Sequence, residues 1–173
     1  ALGGWSTMAG RVRADEIDGV LDTLATKLLD LAQNTSEHAA IREAGLLPFL
    51  GALMGEKQPD ARKTKAARTI ALLAREPNLS ALHEEGLLPP LVALLAGGAE
   101  SHAAANAAGA LGNLARQSEA RSTAVIEAGA VPPLVALLAG GAESHAAANA
   151  AGALADLASM SEARSTAIYE AGA

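Results

Sequence analysis

Cysteine is absent from this chain, which excludes disulfides and thiolate metal sites and fits a reducing compartment. Aromatic residues are almost absent: Trp5, Phe49 and Tyr169 are the only three in 173 residues. With 50% of residues apolar, the core must be built from thin layers of Leu, Ala, Val and Ile. Cationic residues are outnumbered 13 to 19, and the formal charge is −6. A nucleic-acid binder needs a basic face and stacking rings, so no nucleic-acid partner is expected. No apolar run approaches the roughly 18–20 residues that cross a bilayer, so no membrane span is expected. The opening stretch ALGGWSTMAG lacks a basic region followed by a long apolar one, so no secretory leader is read there. These absences point to a cytoplasmic protein, or a nuclear one.

What the chain does have is itself, twice. The stretch PPLVALLAGGAESHAAANAAGAL begins at Pro89 and again at Pro132, an offset of 43 residues. Laying residues 86–128 over 129–171 gives 35 identities in 43 positions. A repeat of this period is a stack of units, each too small to bury an apolar face alone. Weaker copies lie upstream: Gly86-Leu-Leu-Pro-Pro-Leu91 and Gly129-Ala-Val-Pro-Pro-Leu134 match Gly45-Leu-Leu-Pro-Phe-Leu50. Stretches ending in Leu-Ala recur as KLLDLAQN, TIALLARE, ALGNLARQ and ALADLASM. The units are therefore placed at about 15–44 (partial), 45–85, 86–128 and 129–171, with a flexible segment expected over 1–14. Such identity also fits a consensus-like engineered or recently duplicated array.

Punctuation predicts three helices per unit. The run EARSTAVIEA at 119–128 reads as a short first helix stopped by Gly129, which suits a left-handed C-terminal cap. Pro132-Pro133 opens a second, because proline is tolerated in the first turn, where its missing N–H is not needed. That helix, PPLVALLA, is expected to end at Gly140-Gly141. Ser144 can cap the third and longest helix, which runs to about Ala158. Gly152 inside it costs about 1 kcal/mol of propensity relative to Ala, which close approach of a neighbouring helix would offset.

This unit, with Gly-x-x-Pro-Pro-Leu-Val and Asn-Ala-Ala-Gly-Ala-Leu-x-Asn-Leu-Ala, resembles the armadillo repeat. The resemblance implies an all-α, right-handed solenoid of about three and a half repeats. It also implies a protein–protein interaction scaffold that binds an extended peptide segment in a groove lined by the third helices. In the importin-alpha type, a Trp stands four residues before a backbone-clamping Asn, with a polar residue three before the Trp. The matching trios here are Thr23, Thr26, Asp30; Lys65, Arg68, Leu72; Asn106, Gly109, Asn113; and Asn149, Gly152, Asp156. The Trp is missing throughout and only Asn113 keeps the Asn, so a nuclear transport adaptor is disfavoured. The substrate-recognition arm of a U-box-type ubiquitin ligase is the other alternative.

The candidate partner-binding residues are Asp30, Arg62, Lys65, Arg68, Asn106, Asn113, Asn149 and Asp156. Lys57, Arg62, Lys63, Lys65, Arg68 and Arg75 crowd the second unit, and Arg62, Lys65 and Arg68 step by three along one helix. This patch is expected to receive an acidic or phosphorylated segment through charge-assisted hydrogen bonds. Helices packed about 8–10 Å apart give a groove of roughly 30–40 Å. At about 3.3 Å per residue it holds on the order of ten residues.

Catalysis finds no footing, and no cofactor is expected. Ser101-His102 and Ser144-His145 are neighbours in a helix, which do not face one another, and they recur because the unit recurs. Two imidazoles without a thiolate or a fixed carboxylate make a poor metal site. Gly97-Gly98 and Gly140-Gly141 lack the Lys-Ser/Thr of a phosphate loop. Leucine-rich faces of the last layer are expected to be bare, which invites self-association through the C-terminal repeat.

Overall fold

The computed structural model describes residues 14–75, 78–116, 118–159, 162–170 and 172; among them there are helices and no strand. Of the expected N-terminal segment only Ala14 is described, and it opens a helix. Four long helices, α1 (Ala14–Ala32), α4 (Asp60–Leu73), α7 (His102–Ala115) and α10 (His145–Ala158), are the third helices of successive units. The short first helices are α2 (His38–Glu43), α5 (Leu79–Glu84), α8 (Glu119–Glu127) and α11 (Glu162–Glu170). The second helices are α3 (Leu47–Leu53), α6 (Leu88–Leu95) and α9 (Val131–Leu137). Helix α9 stops short of the expected end, and a 3₁₀ turn, Leu138–Gly140, completes it.

The punctuation acts as its chemistry predicts. After α8, Gly129 sits at φ 81°, its N–H bonds to Ile126 O at 2.9 Å, and Ala130 N–H reaches Val125 O at 3.3 Å. That pair of bonds is the Schellman arrangement, and a Cβ at Gly129 would strain it. Ser101 and Ser144 are the N-caps of α7 and α10, each hydroxyl accepting from the N–H three residues on, at 3.2 Å. The Ser144 hydroxyl also donates to Ala99 O at 2.8 Å, so this cap ties one unit to the one before. At the other end of the long helices, three different side chains do one job. His38 Nε2 lies 2.7 Å from Ala32 O, Asn78 Nδ2 lies 3.5 Å from Leu73 O, and Arg121 donates from Nε to Leu114 O at 3.0 Å. Ala32 O and Leu114 O are carbonyls that the helix terminus leaves open, while Leu73 O also accepts from Arg75 N–H at 2.7 Å.

The third helices pack side by side, α1 on α4, α4 on α7, and α7 on α10, while α3, α6 and α9 pack against α4, α7 and α10. One core runs through all units, with Leu50, Ile70, Leu91, Leu111 and Leu134 fully buried. Burying a leucine or isoleucine contributes about 1.5–3 kcal/mol, so the spine of the stack, not helix propensity, holds the fold.

Two expectations need correction. A Cβ on Gly152 would meet nothing within 4 Å, so no helix approaches it; the close approach is at Gly112, where a Cβ would stand 3.1 Å from Ala153 Cα. The leucines of the last layer are not bare: Leu134, Leu137, Leu154 and Leu157 are buried by the helices of their own unit and of α7. Among the described residues the exposed large apolar side chains are instead Ile17, Val20, Leu24 and Leu31 of α1, together with Tyr169 of α11.

Candidate functional site

The face made by the third helices carries the candidate residues, and the structure divides them. Lys65 and Arg68 of α4 line a depression of about 730 Å³ that also takes in Asp60, Thr64, Glu100 and His102. Asn106, Asn113, Asn149 and Asp156 line a second one of about 260 Å³ between α7 and α10, floored by Gly109, Gly112 and Ala153. Asp30 is exposed on α1 and lines neither.

Arg62 does not belong to a basic stripe with Lys65 and Arg68. A step of three residues falls about 60° short of a full turn, so two such steps carry Arg62 about 120° away from Arg68. Its side chain is 1% exposed and bonds to Asp22 Oδ1 at 2.8 Å, Asp18 Oδ1 at 3.1 Å and Asp18 O at 3.0 Å. Gln58 completes the ring at 2.5 Å. The guanidinium is therefore a fastener between α4 and α1. Its hydrogen bond holds the Asp22 carboxyl below the usual carboxylate range, and the same bond raises the pKa of Arg62.

Lys65 is half-buried, with Nζ donating to Thr26 Oγ1 of α1 at 2.8 Å. That hydroxyl is neutral, and the Lys65 charge also acts at longer range on the Asp22 carboxyl. Arg68 is exposed and makes no hydrogen bond or ion pair among the described residues. These two are the cations on this face free to meet an anion.

Over α7 and α10 the polar groups are already engaged, most of them with neighbouring layers. Asn113 Nδ2 donates to Ala71 O of α4 at 3.1 Å, and Asn149 Nδ2 donates to Ala105 O of α7 at 2.8 Å. Asn106 turns back to His102 O at 2.9 Å within its own helix. Asp156 accepts from Arg116 at 3.1 Å, with Arg116 the more exposed of the pair. Sequence reasoning missed Arg116 because it lies one turn beyond the trio positions. It also missed that Asp18 and Asp22 stand one repeat before Arg62, a separation that marks every cross-layer polar contact in this paragraph and the two before it.

His102 and His145 line a notch of about 200 Å³ with Ser101, Ser144, Glu100 and Glu143. Among the described residues no three His, Cys, Asp or Glu side chains come together as a metal site. Among them, too, no single helix is long and apolar enough to cross a membrane.

Comparison with known proteins places this geometry. The armadillo/beta-catenin-like repeat matches at residues 76–116 and 120–159. No curated protein sequence matches the chain. Among solved structures, a computationally designed armadillo repeat protein for modular peptide recognition is 30% identical with a TM-score of 0.78, over 92% of this chain and 66% of that one. An engineered protein is 31% identical with a TM-score of 0.80, over 90% of this chain and 63% of that one. A designed armadillo repeat protein in complex with the peptide (KR)4 is 31% identical with a TM-score of 0.76, over 91% and 64%. This chain thus spans about two thirds of the length of these relatives. Its stacked three-helix units, broken by Gly-x-x-Pro and joined through their third helices, make it a member of the armadillo-repeat family.

Proposed function

We propose that this chain is a binding scaffold, not an enzyme, and that it holds an extended peptide segment along its third helices with acidic residues over Lys65 and Arg68. The observation that carries the reading is Arg68, exposed and unpartnered among the described residues, beside a Lys65 whose hydrogen-bonded partner among them is a neutral hydroxyl. An acidic side chain there gains charge-assisted hydrogen bonds without displacing an existing ion pair. A relative designed for modular peptide recognition supports the mode, and the (KR)4 peptide bound by another supplies the contrast. A Lys/Arg-rich peptide meets Lys65 and Arg68 at α4, beside the carboxylates of Asp60 and Glu100, and, at α7–α10, an Asp156 already held by Arg116. That argues against the basic-cargo adaptor reading for this layer.

Fluorescence anisotropy with two labelled eight-residue peptides tests it. One carries four acidic residues at one end and Gly/Ser at the other; the second is (KR)4. The acidic peptide is expected to bind at least about tenfold more tightly, roughly 1.4 kcal/mol. The double variant Lys65→Glu, Arg68→Glu is expected to invert the preference. Equal affinities, or a preference unmoved by charge reversal, would sink the acidic-ligand reading.

A further inference from the structure

The junction where one third helix starts beside the preceding one occurs in two inner layers with the same parts. Between α7 and α10 the notch of about 200 Å³ takes Glu143, Ser144 and His145 from the later layer, and Ser101, His102 and Ala105 from the earlier. One repeat back, Glu100, Ser101 and His102 fill the first three places, and Asp60, Ala61 and Thr64 the others. This earlier junction is the larger, about 730 Å³, and of the two it alone extends over Lys65 and Arg68. Asn106 and Gly109 hold those register positions on α7, and neither lines the later notch.

His102 is therefore one of a repeated pair of histidines, and the one that shares a rim with free cations. It is exposed, opens α7 beside its Ser101 cap, and its side chain makes no hydrogen bond or ion pair among the described residues. The fixed charges around it nearly cancel. From α4 come Lys65 and Arg68 against Asp60, which Lys63 approaches at 3.5 Å. The turn before α7 adds Glu100, and the α10 side adds Glu143 and His145 across the notch. Helix α6, packed on α7 as well, carries no charged side chain. Helix α8, with Glu119, Arg121 and Glu127, meets the far end of α7, where Arg121 reaches Leu114 O. Carboxylates, amines and guanidinium groups as classes change charge outside the range of about pH 5–8, whereas imidazole changes within it. A proton on His102 thus tips a nearly balanced rim to positive and adds a charged donor beside the two cations.

We infer that His102 makes anion binding at this depression pH-dependent: an acidic segment over Lys65 and Arg68 is held more tightly when His102 is protonated. The inference rests on the acidic-peptide reading above and adds its regulation. Binding takes up a proton, so affinity rises as pH falls through the imidazole range. His145 has no such cations beside it and takes no part.

The test is anisotropy of the eight-residue acidic peptide, its charges supplied by aspartates, at about pH 8 and about pH 5.5 and constant ionic strength. Aspartate titrates near pH 4, so the peptide keeps its charge across this window. The Kd is expected to fall about three- to fivefold at the lower pH, which one added charge pair is worth at about 4–6 Å in water. His102→Gln is expected to remove that difference, and His145→Gln to leave it in place. Both positions are exposed, so both variants should fold, as circular dichroism would verify. An affinity that does not change with pH, a change that survives His102→Gln, or one that disappears with His145→Gln overturns this inference alone. In those cases the preference for the acidic peptide, and its inversion by Lys65→Glu, Arg68→Glu, would still stand. Loss of that preference at both pH values overturns the two together.

Discussion

The seam between α1 and α4 and the seam between α7 and α10 join equivalent helices by different means. The first is fastened by polar side chains: Arg62 to Asp18 and Asp22, and Lys65 to Thr26. The second is a close approach of small residues, Gly112 against Ala153, flanked by Asn149 on a carbonyl and Arg116 on Asp156. The backbone arrangement is the same, so the side chains alone decide what remains for a partner. Where layers are joined by packing, the amides of Asn113 and Asn149 are drawn into bracing the stack. Where they are joined by an ion cluster beneath the face, Lys65 and Arg68 stay available above it.

Small side-chain changes should separate the two seams, and the largest effect belongs to the packed one. Gly112→Ala places a methyl 3.1 Å from the Ala153 backbone and should cost about 1–3 kcal/mol in urea denaturation. Gly152→Ala, which enters open space, should instead stabilise by up to about 1 kcal/mol. Matching signs for the two would refute the close-approach account. A smaller effect tests the amide braces. Asn113→Ala removes the bond to Ala71 O and should cost about 0.5–1.5 kcal/mol, while Asn106→Ala, whose bond stays within one exposed helix turn, should cost less.

The smallest effect is expected at the ionic seam, because Asp18 and Asp22 remain 60% and 51% exposed and water screens them. Asp22 binds its proton less readily when folded than when unfolded, so its stabilising contribution is complete above the unfolded pKa. It is lost as pH falls below about 4 and through the depressed folded value. Arg62→Ala reproduces the Ala103 and Ala146 of α7 and α10 and should abolish that acid-side slope. Stability of wild type and variant, followed from pH 7 to pH 3, should converge at the acid end. A gap that stays constant over this range would mean that Arg62 acts by packing alone.

Much of the fold could be read in advance because its signals are local. Gly129 before Pro132-Pro133, and Ser144 three residues ahead of an N–H it accepts from, act within one turn of chain. The trio spacing set these residues on the third helices, and the structure gathers Lys65 and Arg68 along one depression and Asn106, Asn113, Asn149 and Asp156 along another. Arg62 was misread because a three-residue step drifts around a helix, and because its carboxylate partners lie 40 and 44 residues away. Gly152 was misread because glycines at 109, 112 and 152 look alike in a string. Only the facing helix tells which one has a backbone against it.

By itself the sequence determined the repeating unit, its three helices and their caps, since glycine, proline and serine act on the backbone beside them. The tertiary structure alone decided which polar residues face a partner and which fasten neighbouring layers. That choice depends on rotation about each helix axis and on groups a whole repeat away, and no local rule carries either.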